Sequence, residues 1–277
     1  MKIQDILTTE VASPPIVYHK LQNAIQDPES TFQNFADIIR SDSGLSGRLL
    51  RIVNSSFYGL SGKVESITHA MNILGIDKLA DIALATIVMS KFNGIPRDLI
   101  DLELFWKHNI ACGLAVKEIA VLFGETNTEK FYLLGMLHDI GSLVLYKEAP
   151  SISRTCLNRA DYEGQHLFVV EKEEMGFSHA EIGRQLLDQW RLPELFVETA
   201  GYHHNPLDAP KYPKFVSMVH IADILSYELG LGSSGEPFVP PLGNGILQFL
   251  QLDRSQLIEI KASVKISFDE IYQMFCD

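Results

Sequence analysis

The sequence predicts an all-α protein built as two helical bundles, a smaller one before about residue 95 and a larger one after it. Three observations carry this. Apolar residues recur at the three-to-four spacing of helices, whereas period-two alternation is scarce. The breaks between periodic stretches hold Pro, Gly, Asn and Ser, the residues that stop helices and form turns. The chain of 277 residues is 46% hydrophobic and 21% charged, which supplies ample core material for such bundles.

Near the N-terminus, Ser13-Pro14-Pro15 punctuates the start, and a helix is expected over 16–26 until Asp27-Pro28-Glu29-Ser30 breaks it. Residues 31–39 form a second helix, with Phe32, Phe35, Ala36 and Ile39 on one face. Residues 45–53 form a third, ended by the polar run 54–59. A fourth covers 67–74, closed by Gly75 in the position a helix C-cap favours. A fifth runs over 76–92, ahead of the break Asn93-Gly94-Ile95-Pro96. The second half begins near Leu102. A long helix is expected over 105–123 and another, continuous, over 129–146. Residues 151–174 make one or two helices and 180–189 one more. Leu192-Pro193-Glu194 opens a helix that reaches Tyr202-His203-His204 and stops at Asn205-Pro206. The last strong helix covers 215–229. A Gly/Ser/Pro-rich loop comes next over 230–245, and two or three short helices fill 246–277. Domain boundaries are therefore expected at 1–95, 96–230 and 231–277. No internal repeat or low-complexity segment stands out.

The bulk numbers exclude some function classes. A formal charge of −12 argues against a nucleic-acid binder that neutralises phosphates. Cys112, Cys156 and Cys276 lie far apart and form no CxxC pair, which suits a reducing cytoplasmic setting. The first residues, MKIQDILTTEVASPP, have no apolar signal core, and no apolar stretch of about 18 residues runs unbroken. No membrane association is expected.

The most informative feature is His138-Asp139, set between the apolar runs 131–137 and 140–145. A carboxylate inside such a run is expected to be buried, and a buried, unpaired carboxylate costs several kcal/mol. A bound cation compensates for that cost, and the chain offers more ligands of the right type: His108, His179, His203, His204 and Asp223. On the helix over 105–123, Ala111, Cys112, Ala115 and Ile119 share the face of His108, so His108 points inward. Asp223 lies under Val216 and Val219 in the same way. His203 and His204 diverge by about 100° on a helix, so both reach one cavity only where the helix is ending. Asn205-Pro206 supplies that ending. His179 comes after Gly176-Phe177-Ser178 and is expected at a helix start.

Each of these has a plainer explanation. A lone inward histidine is more often a satisfied core residue than a ligand. Asp223 can cap a helix or pair with an arginine, and His203-His204 can face water at a helix C-terminus, where the dipole favours them. Cys112 is better read as a small core residue than as a ligand. His19, His69 and His166 have no visible partner, and His220 sits one turn from Asp223. Asn54, Ser55 and Tyr58 read as capping or bracing groups. It is the accumulation of five histidines and two aspartates that favours a metal. Imidazole nitrogen and carboxylate oxygen suit iron, manganese, nickel or zinc. Seven ligands exceed one tetrahedral site and suit two metals a few ångströms apart, so one or two ions are expected, and a two-metal site can activate water and clamp a phosphoryl oxygen.

The ordered series His108, His138-Asp139, His179, His203-His204, Asp223 resembles the HD superfamily of metal-dependent phosphohydrolases, and in its many histidines the HD-GYP cyclic-di-GMP phosphodiesterases. The stretches 45–58 and 67–75, with 105–108, 135–141, 178–183 and 190–193, narrow the resemblance to the HDOD family, the HD-related output domain of bacterial signalling proteins. The resemblance covers roughly residues 10–230. It implies an all-α fold whose larger bundle is HD-like, and a role in signal transduction or regulation. It implies His108, His138, Asp139 and Asp223 as metal ligands, with His179, His203 and His204 carried over from the wider HD-GYP pattern. Two departures bear on activity. Hydrolytic members usually carry Lys or Arg where this chain has Ser142. The segment after His203-His204 reads Asn-Pro-Leu-Asp-Ala-Pro, without the acid and Gly-Tyr-Pro of the phosphodiesterases. Other basic residues, such as Arg154, Arg159 or Arg184, could replace the lost cation in space.

These readings give three functional expectations. The first is a cytoplasmic regulatory module that retains an HD-type metal site and binds a protein partner or a small phosphorylated signal. The second is an active phosphohydrolase on a phosphoester or cyclic nucleotide, in which Asp139 holds the metals or orients the attacking water. The third is a metal-free structural or interaction module.

Overall fold

The computed structural model describes every residue except Met1, Ser56, Phe57, Gly59, Ser61, Asn93 and Asp277; of Thr9, Glu10 and Cys276 it describes the backbone alone. Every regular element among the described residues is helical, as the periodicity predicts. The helix ending expected over 54–59 and the break at 93–96 fall partly outside the described residues.

Two compact units are present. One joins residues 14–91 with 267–277, and the other joins residues 1–13 with 92–266. The termini therefore group differently from the expected 1–95, 96–230 and 231–277. Two short helices unforeseen in the sequence, α1 (Ile3–Ile6) and α2 (Thr9–Ala12), belong with the larger unit. Ile6 and Val11 are buried there, and the indole N–H of Trp190 donates to the Val11 carbonyl at 3.2 Å.

The smaller unit contains α3 (Ile16–Gln26), α4 (Phe32–Arg40), α5 (Ser43–Val53), α6 (Ile67–Leu74) and α7 (Ile76–Lys91). Its core holds Phe35, Ala36 and Ile39 of the face expected over 31–39, with Leu45, Leu49, Ile52 and Met71, while Phe32 of that face is 49% exposed. Side chains cap the starts: Asp42 accepts from the Leu45 N–H at 2.9 Å and Ser66 from the His69 N–H at 3.1 Å. Asn54 braces the chain past α5. Its amide donates to the Leu50 and Val64 carbonyls and accepts from the Val64 N–H, each at 2.7 Å.

The larger unit begins its main bundle with α8 (Leu102–Leu122), capped by the Asp101 carboxylate on the Glu103 N–H at 2.8 Å. Next come α9 (Thr128–Leu137) and α10 (Ile140–Glu148). The single helix expected over 129–146 is thus two helices, and the interruption falls on His138-Asp139. Asp139 sits at φ −96°, ψ 14°, in the sparsely allowed bridge region. In a continuous helix the two side chains would diverge by about 100°. The break turns both to one side.

Then come α11 (Pro150–Glu163), α12 (Leu167–Met175), α13 (His179–Gln189), α14 (Glu194–Tyr202) and α15 (Pro213–Leu229). Beyond the loop over 230–245 lie α16 (Ile246–Leu250) and α17 (Arg254–Cys276). The two or three short tail helices are one short and one long. No Gly or Pro interrupts 254–276, and Ile260, Val264, Phe268 and Ile271 keep a buried stripe at helical spacing.

Two close helix contacts set the spacing around His138-Asp139. A Cβ on Gly135 of α9 would fall 2.6 Å from the Gly113 Cα of α8. A Cβ on Gly141 of α10 would collide with the His179 carbonyl and fall 2.6 Å from the Gly183 N of α13. Bare glycine backbone draws α9 onto α8 and α10 onto α13. No described helix is long and apolar enough to cross a membrane.

Candidate metal centre

The seven predicted side chains meet in the larger unit. His108 comes from the middle of α8 and Asp223 from the middle of α15. His138 ends α9, Asp139 precedes α10 and His179 is the first residue of α13. His203 and His204 come directly after α14, their rings 4.0 Å apart where the helix ends. Six of the seven are buried, and His204 is half-buried.

Asp139 is the hub. Its Oδ2 lies 3.4 Å from His138 Nε2 and 3.9 Å from His108 Nε2. Its Oδ1 lies 3.3 Å from His179 Nε2 and 3.4 Å from His203 Nε2. Asp223 Oδ1 adds contacts at 3.1 Å to His108 Nε2 and 3.7 Å to His138 Nε2. The ligand atoms fall into an inner trio, His108, His138 and Asp223, and an outer trio, His179, His203 and His204. A third group, His138, Asp139 and His203, links them.

Several of these atoms lack a well-aligned partner, while His204 Nε2 and His179 Nε2 pair at 2.9 Å. Nε2 of His108, His138 and His203, and Oδ1 of Asp139 and Asp223, are buried without a hydrogen bond of acceptable alignment. Two atoms each about 2.1 Å from one metal, at angles between square and tetrahedral, lie about 3.0–3.4 Å apart. The observed nitrogen–oxygen separations cluster around that span. No thiolate joins any of the three groups, so the candidate donors are imidazole and carboxylate.

The surroundings fix the rings. The His138 Nδ1–H donates to the Gly135 carbonyl at 2.6 Å and the His203 Nδ1–H to the Ala200 carbonyl at 2.9 Å. A carbonyl only accepts, so in each neutral ring the Nε2 lone pair faces the cluster. His220 Nδ1 holds the His203 carbonyl at 2.7 Å, one shell out. Glu171 on α12 was not singled out in the sequence. Its buried carboxylate accepts from His179 Nδ1 at 2.7 Å and from the His179 N–H at 2.8 Å. The signal was present: Glu171 ends the apolar run 167–170 much as Asp139 ends its own.

Electrostatics bind the group tightly. Burial alone would lower the His138 pKa, but Asp139 overrides it and holds the ring well above 6.5. Burial is likewise outweighed at His179, which Glu171 and Asp139 raise. Burial would raise both aspartates, yet the imidazoles hold Asp139 and Asp223 well below 3.8. Burial lowers His203 and His204, whose neutral rings are the form that ligates metal.

Other candidates stand apart. Arg154 binds the Asp98 carboxylate at 2.8 Å, Arg159 is clasped by Glu163, Glu173 and Glu174, and Arg184 lies 5.5 Å from the Tyr202 ring. None is bonded into the cluster, so the substitute cation raised in the sequence is not found among them. Ser142, where hydrolytic members carry a cation, is buried, and its N–H donates to the Asp139 carbonyl at 2.9 Å. Cys112 is a buried core thiol. His19 lies 3.4 Å from the Asn23 amide.

Comparison with known proteins bears on the family and the fold. A protein from Treponema pallidum (strain Nichols), described only as uncharacterized, is 25% identical over 255 residues. The match takes in 90% of this chain and 48% of the relative, so the chain spans about half the length of the curated relative it matches. Among solved structures, one from Shewanella amazonensis SB2B, named "Putative phosphohydrolase", superposes with a TM-score of 0.76 at 22% identity, covering 98% of both chains. An HDOD domain protein of unknown function from Geobacter sulfurreducens superposes with a TM-score of 0.75 at 24% identity, covering 95% of this chain and 91% of the other. These structural likenesses establish the fold. The HDOD domain model matches residues 11–206, most of the chain, and the chain belongs to the HDOD family.

Proposed function

We propose that this chain is a cytoplasmic regulatory HDOD module that holds one or two divalent transition metals. It acts by binding a protein partner or a small phosphorylated signal. The observation that carries this reading is the placement of Asp139: each carboxylate oxygen is approached by two imidazole Nε2 atoms from different helices. His108, His138 and Asp223 would hold one cation, and His179, His203 and His204 a second, with Asp139 between them. When bound, such cations supply positive charge that can activate a water or neutralise a phosphoryl oxygen. The buried free thiols Cys112 and Cys156 accord with a reducing compartment.

Two features favour binding over hydrolysis. Six of the seven ligands are sealed from solvent, leaving no open face for an ester at the inner trio. The cluster also lacks a bonded lysine or arginine among the described residues, and phosphoryl transfer usually relies on such a clamp. A second reading, an active phosphohydrolase, is favoured by the carboxylate linking two ligand trios, an arrangement suited to two-metal chemistry. In that reading Asp139 would also orient the attacking water.

A screen of Mn²⁺- and Fe²⁺-loaded protein against cyclic dinucleotides and generic phosphoesters separates the two. The regulatory reading expects metal retention without turnover. Turnover abolished by His138→Ala would replace it with the enzyme reading.

A further inference from the structure

The two ligand trios differ in enclosure at one member, His204. Over the inner trio, the loop of residues 230–245 lies as a strap. Gly232, at φ 90°, passes so close to α8 that a Cβ would meet the His108 backbone N and come within 2.9 Å of the Lys107 Cβ. The Ser233 N–H donates to the Leu104 carbonyl at 3.0 Å. The Tyr146 hydroxyl donates to the Ser234 carbonyl at 2.7 Å. The Tyr227 ring lies 4.6 Å from the His108 ring, and its hydroxyl pairs with the Ser234 hydroxyl at 2.9 Å. His108 is 0% exposed, His138 1% and Asp223 2%.

In the outer trio His203 is 0% and His179 4% exposed, and only His204 meets solvent. His204 is half-buried and is followed by exposed Asn205. Its cover is the ring of Phe168, stacked on it at 4.2 Å and 17°, itself only half-buried. Phe168 stacks in turn on His166 and His166 packs against the exposed Phe238, so the cover of His204 is a partly exposed stack of rings that can shift without breaking the strap bonds to α8. Uncovering His108 requires breaking several strap hydrogen bonds.

We propose that the centre is kinetically split: the inner trio holds its cation permanently, and the outer trio exchanges its cation with solvent through His204 and Phe168. This rests on the proposed metal centre and assigns each ligand trio its own exchange behaviour.

Chelator-release kinetics test it. Protein loaded with Mn²⁺ or Zn²⁺ and freed of excess ion is mixed with a strong chelator, and the metal remaining is measured by elemental analysis over time. Two phases of one equivalent each are expected, the second slower by about tenfold or more. Phe168→Ala should speed only the fast phase. Tyr227→Phe, which removes a strap anchor, should speed only the slow one. His204→Ala should retain the slow equivalent and lose the fast one, with circular dichroism verifying its fold. A single phase, a single equivalent in the wild type, or Phe168→Ala acting equally on both phases overturns the split while leaving metal binding intact. Protein that takes up no metal at all fails the underlying metal reading instead.

Discussion

The carboxylate of Glu171 holds His179 by two bonds, one to the backbone N–H at 2.8 Å and one to Nδ1 at 2.7 Å, with both side chains buried. A carboxylate behind a ligating imidazole sets its tautomer and raises its basicity, and losing such a partner typically costs about 10–100-fold in metal affinity. Glu171→Gln keeps the shape and removes the charge. Competition against a chromophoric chelator should show weakening of roughly 10-fold or more in a variant whose helical content is unchanged. Equal affinity in a folded variant would show that Glu171 serves packing alone.

Metal removal should destabilise the protein, and more so at high pH. Without metal, His138 and His179 are held above 6.5 despite burial, by Asp139 and by Glu171 with Asp139. Their contribution is complete below pH 6.5 and is lost as pH rises through the raised values. Asp139 and Asp223, held below 3.8, contribute above that value and lose it only in stronger acid. Metal binding needs neutral rings and therefore strengthens as pH rises. Melting curves with and without chelator, taken from about pH 6 to about pH 9, should diverge steadily, with the metal-free protein losing Tm. A gap that narrows with pH would show that these rings do not ligate.

Gly141→Ala should be severe for a one-carbon change. The added methyl meets the His179 carbonyl, so α10 and α13 must part. Overpacking of this kind costs about 1–3 kcal/mol, occasionally more. Asp139 and His179 sit on either side of this contact, so metal stoichiometry should fall together with Tm. A variant that matches the wild type in both would show that the helices tolerate separation.

Asn54→Ala is the control in the smaller unit. It removes three hydrogen bonds around Leu50 and Val64 and should cost about 1–3 kcal/mol by denaturant titration. Metal content should be unchanged, because Asn54 belongs to the unit that carries none of the seven ligands.

Legibility in the sequence was uneven for physical reasons. Helices with a clear apolar stripe, such as α4 with Phe35, Ala36 and Ile39, were readable because burial imposes the period. The stop at Asn205-Pro206 exposed the ending that lets His203 and His204 face one another. The break at His138-Asp139 was not readable as a break, because the flanking runs are apolar all round and carry no Pro or Gly at the interruption. Glu171 escaped notice because its role depends on where α12 lies relative to His179. The same holds for Arg154, whose partner Asp98 is distant in the chain, whereas Arg159 pairs with Glu163 one turn on in its own helix and with Glu173 and Glu174 of α12. The short helices at residues 3–12 join the larger unit through contacts such as Trp190 to Val11, which local sequence does not encode.

Whether a cation draws the seven side chains together is tested most directly by elemental analysis of the purified protein, before and after reconstitution with Mn²⁺, Fe²⁺ or Zn²⁺, alongside Asp139→Ala. One to two equivalents of divalent transition metal are expected per folded wild-type chain, with a marked loss in the variant. A folded wild-type chain that retains no metal after reconstitution would contradict the metal centre, leaving the imidazoles as partners of the two aspartates alone.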